Sequence, residues 1–253
     1  MLLAGGGTQL SAQVIMIASG KGGTGKSTVS VLLGSRLAAA GKRVLLIELD
    51  SGLRSVDIIS GVYGKTVYDI SDVLSGRCQA AKAIIESSIY PGLSVISAPY
   101  EGGVVEPQAL QKLIQVLDSY YDFVLIDTAA GLGAPFKAAV SVSQMALLVL
   151  TPDPVALRDG HIVADVLYDA GLQNVRLVVN RVGPNTFEKG AVEDLDECID
   201  TVAVQLIAVI PESVALQRSS AAGQPLAANA LAYRAFDNLA QRILGKDIPL
   251  VVR

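Results

Sequence analysis

Nine consecutive residues, Gly20-Lys21-Gly22-Gly23-Thr24-Gly25-Lys26-Ser27-Thr28, hold four glycines, two lysines and three hydroxyl side chains. Their spacing is G-x-x-x-x-G-K-S. Glycines let a backbone curl with its N–H groups turned inward and no Cβ in the way. A helix starting at the end of such a loop adds partial positive charge at the same point. Together these features read as a phosphate cradle, a P-loop. In that geometry Lys26 reaches the β/γ-phosphates and the Ser27 hydroxyl ligates Mg²⁺. Gly20, Gly22, Gly23, Thr24, Gly25, Lys26, Ser27 and Thr28 are therefore the candidate phosphate-binding residues. A second lysine, Lys21, reads by itself as a solvated loop residue.

Acids follow apolar runs at three other places. Arg43-Val44-Leu45-Leu46-Ile47-Glu48 leads into Leu49-Asp50, Phe123-Val124-Leu125-Ile126 ends in Asp127, and Met145–Leu150 is followed by Asp153. An acid at a strand end beside a P-loop is the expected carboxylate on the Mg²⁺ side, here Asp127, acting through water. Asp50 is placed to orient or polarise an attacking water, with helix N-capping as its alternative. Asp153 stands before Pro154 and reads first as an N-cap or turn former.

These residues need a scaffold that brings strand ends together. Val14–Ala18 reads as the strand before the loop, and Val29–Ala38 as the helix after it. Further apolar strands are expected at 43–48, 93–97, 123–127, 145–150, 175–180 and 205–210. Short helices are expected around Ile70–Leu74 and Ala80–Ile85, and an amphipathic one over Glu106–Tyr120. Longer helices are expected over Pro154–Ala170 and near 213–220 and 230–244. Alternating strands and helices predict an α/β fold, a doubly wound, mostly parallel sheet with helices on both faces. In such sheets the ligand sits beyond the carboxyl ends of the strands. The expected organisation is an N-terminal tail over 1–13, one P-loop domain over 14–245 and a C-terminal tail over 246–253.

Composition narrows the class. The chain has 253 residues, 51% of them hydrophobic, with no tryptophan and a formal net charge of −4. Val, Leu, Ile and Ala dominate, as in parallel strands buried on both faces. The acidic balance argues against a nucleic-acid surface, so DNA is not an expected partner. Cys78 and Cys198 are far apart, without metal-ligand spacing, and fit free thiols in a reducing cytoplasm. No apolar run approaches the length needed to span a bilayer, and the N-terminus lacks the charged start of a signal peptide. His161, the only histidine, has no nucleophile in register and reads as a surface or structural residue.

Lys21-Gly22-Gly23-Thr24-Gly25-Lys26-Ser27 resembles the deviant P-loop of the MinD/ParA family of dimerising ATPases, in which the early lysine is a signature. The segment Asp50-Ser51-Gly52-Leu53-Arg54-Ser55-Val56-Asp57 resembles the MinD form of switch I, and Tyr121–Gly131 its switch II. Val179-Asn180-Arg181 and Val209-Ile210-Pro211-Glu212 resemble its adenine-pocket segments. The resemblance covers about residues 13–245. It implies ATP and ADP with Mg²⁺ as cofactors and slow ATP hydrolysis. Lys21, Lys26 and Asp50 would be the catalytic residues, with Lys21 reaching across an ATP-bound homodimer to the partner's phosphates. Asn180 would read the adenine edge, with Arg181 and Pro211 walling the base. The implied role is placement of the division site, together with a regulatory protein partner.

The chain departs from the family pattern at three points. Glu48 stands where an aspartate is usual, the N-terminal segment is longer, and the C-terminal residues 243–253 show no basic amphipathic face. Pro249 also argues against an interfacial helix there. The expected location is the cytoplasm, with peripheral contact to the inner face of the membrane left open. The alternatives are a ParA-like partitioning or polar-localisation scaffold, acting on DNA or a protein, and a flagellar-number regulator. Scattered tyrosines and the cysteine positions do not match the tyrosine-kinase or iron–sulfur branches of the class.

Overall fold

The computed structural model describes residues 11–250 apart from Leu53 and Val104, and Lys189 without its side chain. Residues 1–10 and 251–253 of the expected tails, and Leu53 of the switch I-like segment, lie outside the described residues. The order is β1 (Gln13–Ala18), α1 (Lys26–Ala39), β2 (Val44–Glu48), α2 (Ser55–Ile59), α3 (Ile70–Leu74), α4 (Ala80–Ala83), β3 (Ile85–Glu86) and β4 (Leu93–Ile96). It continues α5 (Pro107–Leu117), β5 (Phe123–Asp127), α6 (Ala134–Val140), β6 (Met145–Leu150), α7 (Pro154–Asp169) and β7 (Val175–Val182). The last elements are α8 (Thr186–Lys189), α9 (Leu195–Val202), β8 (Leu206–Pro211), α10 (Val214–Ala222) and α11 (Leu231–Ile243).

The eight strands form one sheet in the order β3-β4-β2-β5-β1-β6-β7-β8. All neighbours are parallel except the edge pair β3–β4. From β1 the chain moves outward through β2 and β4, returns to β5, then crosses over β1 to β6, β7 and β8. That reversal opens a crevice at the carboxyl ends of β1, β2 and β5, where a doubly wound sheet binds its ligand.

Burial on both faces explains the unbroken apolar runs. Every residue of β2, β5 and β6 is buried, and alternate side chains enter two separate cores. One core lies under α1, α2, α10 and α11, with Leu33, Val56, Leu216 and Phe236; the other lies under α3 to α7 and α9, with Leu113, Phe136 and Leu167. Gly34 lets α1 sit close on the sheet, since a Cβ there would stand 3.0 Å from Leu93 Cδ1.

Most expected elements form with ends shifted by a few residues, and at two places the assignment itself changes. Ile85 belongs to the antiparallel edge strand β3, not to a helix over 80–85, because α4 stops at Ala83 and Ile85 pairs with Val95. Gln13, assigned to the tail, is in β1 opposite Phe123, and Ser11 and Ala12 bond to Asp118 at the end of α5. Helices α6, α8 and α9 have no counterpart in the sequence reading; α6 and α8 are short, whereas Leu195, Cys198, Ile199 and Val202 of α9 form an apolar stripe at helical spacing that does signal a helix. At the other end, Arg242 donates to the carbonyls of Ile207, Ile248 and Pro249, which holds the start of the C-terminal segment against β8.

Candidate functional site

The P-loop runs from the end of β1 into the first turn of α1. Gly25 stands at the helix N-cap with φ 96°, in the left-handed region, and no side chain caps α1. The first N–H groups of the helix therefore have no intrahelical acceptor and face the loop. Gly25 is fixed sterically as well as by its backbone. A Cβ there would lie 2.3 Å from Asn180 Nδ2. The Asn180 amide donates to the Thr24 carbonyl at 2.7 Å, and its oxygen accepts from the Arg181 N–H. Asn180 thus locks the loop to the end of β7. One amide N–H and one oxygen lone pair remain on it for a base. Arg181 follows with φ 60°, turning the chain beside Pro211 of β8.

Lys26 is buried, and its Nζ donates to Ser19 Oγ at 3.0 Å. Among the described residues no carboxylate lies within ion-pair distance of it. Ser19 in turn donates to the Lys21 carbonyl at 2.8 Å, closing the base of the loop. Lys21 turns outward. Its side chain is 43% exposed and its Nζ lies 3.2 Å from Asp153 Oδ1. Asp153 also accepts from the Ala156 N–H, so it N-caps α7 as expected and pairs with the second lysine as well.

Asp127, wholly buried, accepts 2.7 Å from Ser27 Oγ and 2.9 Å from Ser30 Oγ. Burial raises its pKa to about 6, against the two hydroxyl bonds and the Lys26 charge, which favour the anion. Ser30, a turn beyond Ser27 on α1, carries no motif signal and was not among the expected site residues. Asp50 is half-buried near Lys26 and Asp127; burial raises its pKa and the Lys26 charge opposes the rise. It does not cap the next helix. That task falls to Glu48, whose carboxylate accepts from the Val56 N–H of α2 at 3.2 Å and from the Ala98 N–H at 3.3 Å. Burial, then repulsion from Asp127, raises the Glu48 pKa to about 8. The longer side chain at this position thus faces the switch I-like helix.

Just before α2, Arg54 adopts φ 48° and is buried. Its Nη2 lies 2.6 Å from Asp57 Oδ2, out of hydrogen-bond alignment, and its guanidinium lies 4.0 Å from the Tyr100 ring centre. No spacing rule pointed to Tyr100, since it meets Arg54 only through the fold.

The donor set suits a nucleoside polyphosphate with a divalent cation. Among the described residues, Lys26 is a buried cation without an anion, the Thr24 hydroxyl is buried without a partner, and Gly22 and Gly23 face open space. Ser27 and Asp127 supply the hard oxygen donors that Mg²⁺ prefers. Residues 15–226 match the profile of the CobQ/CobB/MinD/ParA nucleotide binding domain.

The chain belongs to the MinD/ParA family of nucleotide-binding ATPases. It is 34% identical to the septum site-determining protein MinD of Bacillus subtilis, over 95% of this chain and 92% of that protein. In a MinC:MinD cell division protein complex from Aquifex aeolicus, the matched chain has a TM-score of 0.88 and 34% identity, covering 95% of this chain and 99% of that one. The MinD of Pyrococcus horikoshii, solved with Mg-ADP, gives 0.81 and 28% identity over 92% of this chain and 96% of that one. The P-loop, Asp50, Asp127, Asn180, Arg181 and Pro211 all fall inside the span of the MinD/ParA profile.

Proposed function

We propose that this chain is a MinD-like ATPase that serves division-site placement, and that it works as an ATP-dependent dimerisation switch. The observation that carries this reading is the pairing of a buried P-loop lysine, Lys26, with an outward lysine five residues earlier, Lys21. Lys26 holds its charge against the β/γ-phosphates of its own nucleotide. Lys21 is joined to Asp153 only by a solvent-exposed pair of the kind worth about 0–1 kcal/mol. Exchange of Asp153 for a phosphate on a second subunit therefore carries little penalty.

When bound, Mg²⁺ would neutralise phosphate charge as it develops in the transition state. Ser27 and Asp127 would hold it, Asp127 through water, and Ser30 fixes the Asp127 carboxylate from behind. Asp50, its proton affinity raised by burial, orients and polarises the attacking water. Asn180, Arg181 and Pro211 place the adenine. Segments around Asp50 and Gly131 respond to the γ-phosphate and pass its presence to the dimer face. A regulatory protein partner reads that state, as the MinC:MinD complex of Aquifex aeolicus suggests.

Size-exclusion chromatography with light scattering tests the switch. A dimer is expected with a non-hydrolysable ATP analogue and Mg²⁺, and a monomer with ADP. A monomer in every nucleotide state overturns dimerisation and leaves only nucleotide binding. Co-sedimentation with liposomes and with DNA, each with ATP, separates this reading from a partitioning scaffold.

A further inference from the structure

A cavity of about 420 Å³ opens on the α1/α11 face of the sheet, outside the nucleotide site. Its walls are apolar, with Leu32, Ala38, Ile89, Pro91, Leu226 and Phe236 among them. Its volume falls in the range of small-molecule sites, roughly 300–1,000 Å³. Its polar side chains are Arg36, Tyr90, Tyr233 and Ser35, and the Ser35 hydroxyl already donates to the Leu32 carbonyl. Arg36 is half-buried, lies 4.3 Å from the Tyr233 ring centre and contacts the Tyr233 hydroxyl. The Tyr90 hydroxyl is buried, and nothing meets it at hydrogen-bond geometry, although the Leu226 backbone lies nearby. Among the described residues no aspartate or glutamate lines the cavity, and Arg36 is the one cation of its lining.

Apolar walls, one guanidinium and two phenols fit a ligand with an apolar chain and one acidic headgroup. A guanidinium takes a carboxylate or a phosphate oxygen pair through parallel N–H bonds. An unpartnered buried hydroxyl gains a bond to the same headgroup.

The walls are tied to α2. Ser87 Oγ donates to the Ser60 carbonyl at 2.6 Å and Ser88 Oγ to the Gly61 carbonyl at 2.9 Å, so the segment that carries Ile89 and Tyr90 is bonded to the end of α2. On the other side, Gly223 ends α10 so close to α2 that a Cβ there would stand 2.7 Å from the Ile58 carbonyl. Pro225 and Leu226 follow after Gln224. One wall is thus bonded to the end of α2 and the other packs closely against it.

We propose that this cavity binds a single-chain amphiphile with one acidic headgroup, and that its occupancy steadies the carboxyl end of α2. Calorimetric titration of the full chain without nucleotide, using octanoate, octyl phosphate and octanol, tests the binding. One of the two acids should saturate a single site, and the tighter one assigns the headgroup. Octanol should bind about tenfold more weakly, as should the better acid to Arg36→Gln. Ile89→Trp, at the half-buried rim, should block the site while leaving Arg36 in place. Absence of saturable binding by either acid overturns the proposal, as does binding that Arg36→Gln and Ile89→Trp both leave unchanged. Amide hydrogen exchange over 56–61 should slow on saturation with the tighter acid. Unchanged exchange with binding intact overturns the coupling to α2. Neither readout involves ATP, so failure here is separable from failure of the dimerisation switch.

Discussion

The Ser27 hydroxyl donates to the Asp127 carboxylate across 2.7 Å, joining two residues 100 positions apart in the chain. The bond exists because β1 and β5 lie side by side in register, Ile17 opposite Asp127, and α1 leaves β1 at the same level. It sets a hydroxyl and a carboxylate at the point where a P-loop holds its metal. Ser27→Ala should weaken Mg-ADP binding by about 10–100-fold, the usual effect of losing an oriented metal-site group. Asp127→Asn keeps the shape and should reduce hydrolysis by about a hundredfold with a smaller effect on binding. Calorimetry with and without Mg²⁺, beside steady-state phosphate release, checks both. Binding by Ser27→Ala equal to that of the parent chain would remove this residue from the metal site.

Lys21 and Asp153 form a pair that can be opened without unfolding anything. Asp153→Asn retains an N-capping side chain for α7 and removes the charge, so stability should stay within about 0.5 kcal/mol. Asp153→Ala also loses the cap and should cost about 1 kcal/mol. Lys21→Ala should abolish ATP-induced dimerisation while nucleotide binding by the monomer persists; Lys26→Ala should lose nucleotide binding itself. Light scattering and thermal melts decide each case, and a Lys21→Ala variant that still dimerises with ATP refutes the trans role.

Glu48 should make stability depend on pH. Its folded pKa is raised to about 8 from an ordinary 4.5. The native state therefore binds more protons than the unfolded chain between these values, and stability falls as pH rises through that window. Asp127, raised to about 6 from 3.8, adds to the fall at the acid end. The slope approaches about 1.4 kcal/mol per pH unit per fully differing proton. Urea unfolding without Mg²⁺ or nucleotide, from pH 5 to 8.5, should show Glu48→Gln with a flatter profile and greater relative stability at high pH. An unchanged slope in that variant refutes the assignment. Glu48→Asp is one methylene shorter, should fail to reach both the Val56 and Ala98 amides, and should speed exchange of α2.

Gly25 and Asn180 constrain each other. Gly25→Ala would place a methyl carbon at 2.3 Å from the Asn180 amide and force a side chain into φ 96°. A loss of about 1–3 kcal/mol is expected, together with loss of nucleotide binding. Asn180→Ala in the same chain removes the clash but not the backbone strain, so the double variant should recover part of the stability. Full additivity of the two changes would show that they do not interact.

Much of the site was legible because phosphate binding demands a contiguous run of residue types. Gly20 to Thr28 announces itself, and Asp127 ends an apolar strand in a chain that already has such a loop. Ser19, Ser30 and the capping role of Glu48 were not legible. A serine in or next to an apolar segment has no signature until another chain segment arrives at its hydroxyl. Asp153 was read as a cap and is one, but its second partner, Lys21, is 132 residues away. The edge strand β3 was misread as helix for a similar reason: two residues carry no usable period, and only pairing with β4 makes them a strand.

The sequence by itself determined the loop chemistry, the alternation of strands and helices and the family, since these rest on local spacing and on unbroken apolar runs. Tertiary structure alone decided the strand order and, through it, which residues meet. It placed Asp127 against Ser27 and Ser30, aimed Glu48 at α2 and set Asn180 under Gly25. It also set both walls of the Arg36 cavity against α2. The physical reason is that hydrogen bonds and packing act over a few ångströms of space and are indifferent to separation along the chain.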